Sequence, residues 1–210
     1  MRTAGFRFPS RLYPINDPLA DRHRSHLELA QQVLRAGVRF LQLRVKDRST
    51  ADFVEIARAV KRLTDAAGAS LIVNDRADIA RLIDASGVHL GQQDLPVPQA
   101  RAVLGEGKII GLSTHSLLQV ASAMGTDDVD YIGYGPIFPT DTKSNPDPVQ
   151  GLEGLRAARR TCSLPIVAIG GISAATMPAV LEAGAAAVAM IGEIVRAPDV
   201  EAKVRELLDA

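Results

Sequence analysis

The sequence predicts an α/β fold of one domain, a closed (β/α)8 TIM barrel, and three observations carry that prediction. Short apolar runs alternate with amphipathic stretches along nearly the whole chain, and the alternation repeats eight times. Helix start and stop signals fall between the runs. Ser25 with Glu28 and Ser49 with Asp52 have capping-box spacing, while Gly37, Gly68 and Gly184 stand where a helix hands over to a strand. Two of the runs, Leu71-Ile-Val-Asn-Asp75 and Gly87-Val-His-Leu-Gly-Gln-Gln-Asp94, lead straight into a carboxylate, and the chemistry of such barrels collects where strands end.

Taken in order, the first strand is read over Leu12 to Ile15. Before it, Met1 to Ser10 carries Arg2 and Arg7, has no apolar run of signal-peptide length, and is read as a loose extension. Phe40 to Arg44 is the second strand. The helix after it shows the 3.6-residue period, with Phe53, Ile56, Ala57, Val60 and Leu63 on one face. Ser70 to Asn74, Gly87 to Leu90, Ile109 to Ser113 and Tyr131 to Tyr134 are the next four strands. Gly135 to Gly151 then holds Pro136, Pro139, Pro146 and Pro148 and cannot be a helix throughout. Because Thr140, Thr142 and Lys143 sit in it, it reads as a lid with phosphate-binding groups, with a solvated loop as the alternative. Ile166 to Ile169 and Ala186 to Met190 complete the eight. An open doubly wound sheet is the competing fold, but no Gly-rich dinucleotide fingerprint follows the first strand.

The 210 residues, 47% of them apolar, suffice for one sizeable core. Lys plus Arg equals Asp plus Glu at 24 each, so no net field recommends nucleic acid or an anionic membrane surface, and anion recognition must be local. No segment has the length and apolarity to span a bilayer. A single cysteine, Cys162, excludes an internal disulfide framework and suits a reducing compartment. The chain reads as soluble and cytoplasmic, compatible with a homo-oligomer.

At the rim, Gln42, Arg44 and Lys46 are spaced by two and point the same way from an extended chain. Two cations and an amide suit a diphosphate, although a merely solvated edge has the same composition. Asp75 and Asp94, at neighbouring strand ends, would repel each other and raise one pKa unless something binds between them. A pair of carboxylates with open water positions is the usual way to hold Mg²⁺ against a diphosphate. Asn74 reaches a diphosphate oxygen or metal-bound water, or caps the next turn. Ser113 or Thr114 donates to a leaving diphosphate, or any of Ser113, Thr114, His115 and Ser116 caps the following helix. His115 is an acid or base, or is structural. His89, His23 and His26 receive no role. Gly170-Gly171 and Ile191-Gly192 fall where barrels bind a phosphomonoester through backbone N–H groups, although a glycine pair also makes a tight turn. Phe40, Tyr131, Tyr134 and Phe138 are candidates to contact an aromatic substrate. Two phosphate-type sites, one with metal ligands, imply group transfer between two phosphorylated substrates.

This assembly resembles the thiamine phosphate synthase family over essentially the whole chain. The motifs are Gln42-Leu-Arg-Val-Lys46, Val73-Asn-Asp-Arg76, Val88-His-Leu-Gly-Gln-Gln-Asp94, Gly111-Leu-Ser-Thr-His-Ser116, Gly133-Tyr-Gly-Pro-Ile-Phe-Pro-Thr-Asp-Thr-Lys143 and Ala168-Ile-Gly-Gly-Ile172. The resemblance implies a transferase that joins hydroxymethylpyrimidine diphosphate to hydroxyethylthiazole phosphate. It implies Mg²⁺ on Asp75 and Asp94, and the pyrimidine diphosphate on Gln42, Arg44, Lys46, Asn74, Ser113 and Lys143. Arg44, Lys46, Ser113 and Lys143 would act on the leaving group. Thr140, Thr142, Gly171, Ile191 and Gly192 would hold the thiazole phosphate.

Two positions depart from the family pattern. Val45 replaces a frequent acidic residue and, by alternation, points off the rim. Gly192 replaces a common serine, which removes a hydroxyl donor and predicts weaker thiazole phosphate binding. The rival readings are a thiazole tautomerase using His115, a non-catalytic thiazole phosphate binder, and a generic sugar-phosphate isomerase or aldolase.

Overall fold

The computed structural model describes residues 5–18, 24–140 and 147–210. Eight strands run in sequence order round a closed parallel barrel. They are β1 (Leu12–Asn16), β2 (Phe40–Leu43), β3 (Ser70–Asn74), β4 (Gly87–Leu90), β5 (Ile109–Thr114), β6 (Tyr131–Tyr134), β7 (Ile166–Ile169) and β8 (Ala187–Met190). All eight expected strands are present, with ends displaced by at most one residue. The ring closes because β1 pairs with both β2 and β8, as in Ile15 with Gln42 and Tyr13 with Ala189.

Outside the barrel lie α1 (His26–Arg35), α2 (Thr50–Ala66), α3 (Ala77–Leu82), α4 (Val97–Leu104), α5 (Leu117–Met124), α6 (Gly151–Thr161), α7 (Met177–Glu182), α8 (Gly192–Val195) and α9 (Val200–Asp209). Ser25 closes a full capping box with Glu28 at α1. At α2 only half of the box forms, because Ser49 accepts from the Asp52 N–H without a reciprocal side-chain bond. Gly37 and Gly184 both end their helices at φ 108, a conformation that a Cβ would strain.

Strand alternation divides the core in two. Leu41, Leu43, Leu71, Val73 and Val88 face the helices, joined there by Phe53, Ala57 and Val60 of α2. Tyr13, Phe40, Ile72, Tyr131 and Val167 point into the barrel. Each fully buried aliphatic side chain contributes about 1.5–3 kcal/mol, so this two-sided burial is what closes the ring. Residues 1–4 of the stretch read as a loose extension lie outside the described residues. Within the same stretch, Phe6 and Phe8 pack their rings 5.6 Å and 5.0 Å from that of Tyr131. Phe8 also meets Phe40 at 5.3 Å. Phe40 and Tyr131 open their strands, so the two phenylalanines fill the N-terminal mouth and leave the opposite rim for a cavity.

Candidate active site

β2 sends Gln42 into the barrel, and Arg44 and Lys46 continue that face onto the rim. Val45 turns the other way and is buried against the helices, as alternation requires. The Arg44 guanidinium donates to Asp17, a buried carboxylate directly after β1. The Arg44 backbone is held as well, since its N–H donates to the Asn16 carbonyl at 3.1 Å. On the other side the His26 Nε2–H donates to the Arg44 carbonyl at 3.0 Å. Burial pushes the His26 pKa below its usual value. Arg44 is therefore aimed before any ligand arrives.

The two expected carboxylates do meet. Asp75 leaves β3 at φ 64, a left-handed conformation that aspartate tolerates better than most residues. Its carboxylate accepts from Lys46 Nζ at 2.5 Å. Asp94 accepts from the Gly91 N–H at 2.6 Å. Burial raises the Asp94 pKa, and the adjacent Asp75 carboxyl raises it further, against the lowering influence of the Gly91 N–H and Lys46. Among the described residues no cluster of three or more His, Cys, Asp or Glu side chains is placed to hold a metal. The donor set is thus two hard oxygen ligands, which suits Mg²⁺ when water and phosphate oxygens complete the shell.

Between these walls a chain of polar side chains crosses the barrel. Gln42 Nε2 donates to the Tyr13 hydroxyl at 2.9 Å, and Tyr13 and Tyr131 share a hydrogen bond of 2.9 Å. Tyr131 lies 3.0 Å from His89 Nδ1, and His89 Nε2 lies 2.9 Å from Ser113 Oγ. Burial raises the pKa of both tyrosines, so both stay phenols. Ser116, not Ser113 or Thr114, caps α5. Thr114 is buried and donates to the Gly133 carbonyl at 2.8 Å, while Ser113 faces the cavity. Asn74 also lines the cavity and does not cap α3, whose N-cap position is Arg76. His115 Nδ1–H donates to the Gly135 carbonyl at 2.8 Å, tying β5 to the loop after β6.

The far rim is built differently. Gly170 and Gly171 sit at φ 100 and φ 64, and a Cβ on Gly171 would stand 2.3 Å from the Pro139 carbonyl oxygen. The glycine pair therefore lets the loop carrying Thr140 press against the end of β7. Beside it, Ile191 and Gly192 open α8. The nearest atoms to a Cβ on Gly192 would be those of the Arg196 guanidinium, at 3.6 Å.

One cavity of about 1460 Å³ reaches Gln42, Arg44, Lys46, Asn74, Asp75 and Asp94. It also reaches Ser113, Thr140, Gly171, Ile191 and Gly192. Thr142 and Lys143 lie outside the described residues. None of Phe40, Tyr131, Tyr134 and Phe138 lines it; Tyr13 does. Phe40 and Tyr131 belong to the barrel interior, and Tyr134 and Phe138 pack on its helix side. Sequence reasoning missed Asp17, Tyr13 and His89. For Asp17 the available signal was its place directly after the first strand; for Tyr13 and His89 it was an inward position on a strand.

The model of the family described as thiamine monophosphate synthase matches residues 12–194. The thiamine-phosphate synthase of Chloroflexus aurantiacus is 44% identical over 197 residues, covering 94% of this chain and 90% of the relative. That of Pelotomaculum thermopropionicum is 47% identical over 187 residues, covering 88% and 84%. Among solved structures, thiamine phosphate pyrophosphorylase from Pyrococcus furiosus superposes with a TM-score of 0.84 at 36% identity, covering 94% of this chain and 93% of that one. A 3-hexulose-6-phosphate synthase, with a TM-score of 0.69 at 23% identity, shares the fold. With a family match over most of its length and relatives this similar, the chain belongs to the thiamine monophosphate synthase family.

Proposed function

We propose that the protein is a transferase that joins hydroxymethylpyrimidine diphosphate to hydroxyethylthiazole phosphate, releasing diphosphate and forming thiamine phosphate. The observation that carries this reading is one cavity with an acid pair and two cations at the ends of β2 to β4 and a glycine-lined flank at the ends of β7 and β8. The first flank suits a diphosphate, and the second a phosphomonoester.

Arg44, preset by Asp17, offers a planar fork to diphosphate oxygens, and Lys46 adds a point charge. Asp75 and Asp94 would hold Mg²⁺, which when bound would supply further positive charge to the same oxygens. Ser113 donates a hydrogen bond to the diphosphate, and Gln42 and Asn74 orient the pyrimidine end. The methylene–oxygen bond breaks with its electron pair leaving on diphosphate, and the thiazole nitrogen lone pair forms the new carbon–nitrogen bond. No protein nucleophile is needed. Charge grows on the leaving group in that step, so fixed donors around it lower the barrier without reorganising. Thr140, Gly171, Ile191 and Gly192 hold the thiazole phosphate. On the family resemblance Thr142 joins them, and Lys143 joins the diphosphate group. A single cysteine in the chain suits a reducing, cytoplasmic location; no helix of the described residues is long and apolar enough to cross a membrane.

The test is to mix purified protein with both substrates, with Mg²⁺ or with a chelator, and follow diphosphate release. Metal-dependent release that needs both substrates is expected. No release with metal present overturns the reading.

A further inference from the structure

In the five-residue chain Gln42, Tyr13, Tyr131, His89, Ser113, every member lines the cavity except Tyr131 at its centre. Its polarity follows from counting protons. The Gln42 amide donates to Tyr13, so that phenol accepts there. Tyr13 is only 1% exposed, and its own single proton has one remaining partner, the Tyr131 oxygen. Tyr131 must then pass its proton to His89 Nδ1, which leaves the imidazole proton on Nε2, aimed at Ser113 Oγ. The Ser113 hydroxyl thereby accepts from the ring and keeps its own proton for the cavity. In the opposite polarity, with the Gln42 amide oriented as it is, Tyr13 would accept from both Gln42 and Tyr131 and neither neighbour would take its proton, an arrangement that buried hydroxyls avoid.

The backbone makes room for this chain. A Cβ on Gly111 would stand 2.2 Å from Tyr131 Cζ and 2.5 Å from His89 Nδ1, and one on Gly133 would stand 3.2 Å from His89 Cε1. A glycine is thus required at 111 where the rings pass, and a side chain at 133 would press on the His89 ring.

We infer that His89 is a positioning residue that, fixed by Tyr13 and Tyr131 in its Nε2–H form, holds Ser113 as a hydrogen-bond donor toward the leaving diphosphate. The inference rests on the proposed reaction. It makes the tyrosine pair part of the machinery although Tyr131 never reaches the cavity. Donation by Ser113 strengthens as charge builds on diphosphate, so the effect belongs in kcat and not in KM.

Two measurements test it. In wild-type protein with ¹⁵N-labelled histidine, the His89 ring is expected to show its proton on Nε2; a proton on Nδ1, or on both nitrogens, overturns the inference. In kinetics, His89→Leu is expected to lower kcat about 10-fold or more, short of the 10²–10³-fold typical of deleting a direct donor, with both KM values within about twofold. Tyr131→Phe is expected to do the same more mildly and serves if the first variant fails to fold. His89→Gln, which keeps a donor near Nε2, should recover much of the loss. In a Ser113→Ala background neither substitution should lower kcat further, and multiplying losses there overturn the inference alone. A wild-type protein that releases no diphosphate overturns the reaction, and this inference with it.

Discussion

Lys46 Nζ and Asp75 Oδ2 lie 2.5 Å apart and join the ends of β2 and β3 across the barrel rim. Both side chains are partly exposed, so the pair contributes little to stability. Its consequence is chemical, because it places a cation beside the acid that would share the metal. Lys46→Met is expected to change unfolding free energy by less than about 0.5 kcal/mol and to lower kcat about 10–100-fold. Urea unfolding and the diphosphate assay separate the two effects.

Asp94 bears the strain of the acid pair, since burial and Asp75 both oppose its ionisation. A ligand that binds only the folded state stabilises by mass action, so MgCl₂ is expected to raise Tm in wild-type protein. Asp94→Asn relieves the repulsion. It should raise Tm without metal, abolish the increment from MgCl₂, and lower turnover about 10²–10³-fold. Unchanged turnover would remove Asp94 from the site.

Gly192 has room for a larger residue, because the nearest atoms to an added Cβ, those of the Arg196 guanidinium, lie at ordinary contact distance. Gly192→Ser is therefore expected to fold normally and to add one hydroxyl donor to the thiazole phosphate flank. A neutral hydrogen bond is worth about 0.5–1.5 kcal/mol, so KM for that substrate should fall about 2–10-fold with kcat unchanged. A rise in KM would show that the phosphate sits elsewhere.

His26 gives the fold a pH dependence of known sign. Its folded-state pKa is lowered from the ordinary 6.5, chiefly by burial. Below that value the unfolded chain takes up a proton that the folded form resists, so stability is full above about pH 6.5 and declines as pH falls through the folded pKa. Unfolding free energies from pH 7.5 to 5 should show this slope. His26→Gln, which can still donate to the Arg44 carbonyl, should flatten it.

Removing the Asp17 carboxylate leaves the half-buried Arg44 guanidinium without its counter-charge. Asp17→Asn is expected to cost about 1–3 kcal/mol of stability and to raise KM for the diphosphate substrate, since Arg44 loses its aim. Titration calorimetry with inorganic diphosphate reads the second effect without turnover.

Much of the rim was legible because strand ends are local facts. Gln42, Arg44 and Lys46 share a face through their spacing alone, and Asp75 and Asp94 each follow an apolar run directly, so eight repeats were enough to bring them together. The aromatic residues were not legible. Phe40, Tyr131, Tyr134 and Phe138 lie near the right strands, yet which side of the barrel wall each ring occupies depends on the register of closure. Asp17 follows a strand with no local mark of a role, and only closure of the barrel sets it beside Arg44.

By itself the sequence determined the barrel, the order of its strands and many of the strand-end residues that line its cavity, because periods of 2 and 3.6 residues and helix caps are written within a few positions of one another. Only the tertiary structure decided which groups touch across the ring. Tyr13 and Tyr131 are 118 residues apart. No local pattern encodes their hydrogen bond, which exists because parallel strands close on themselves and turn opposite walls toward a common interior.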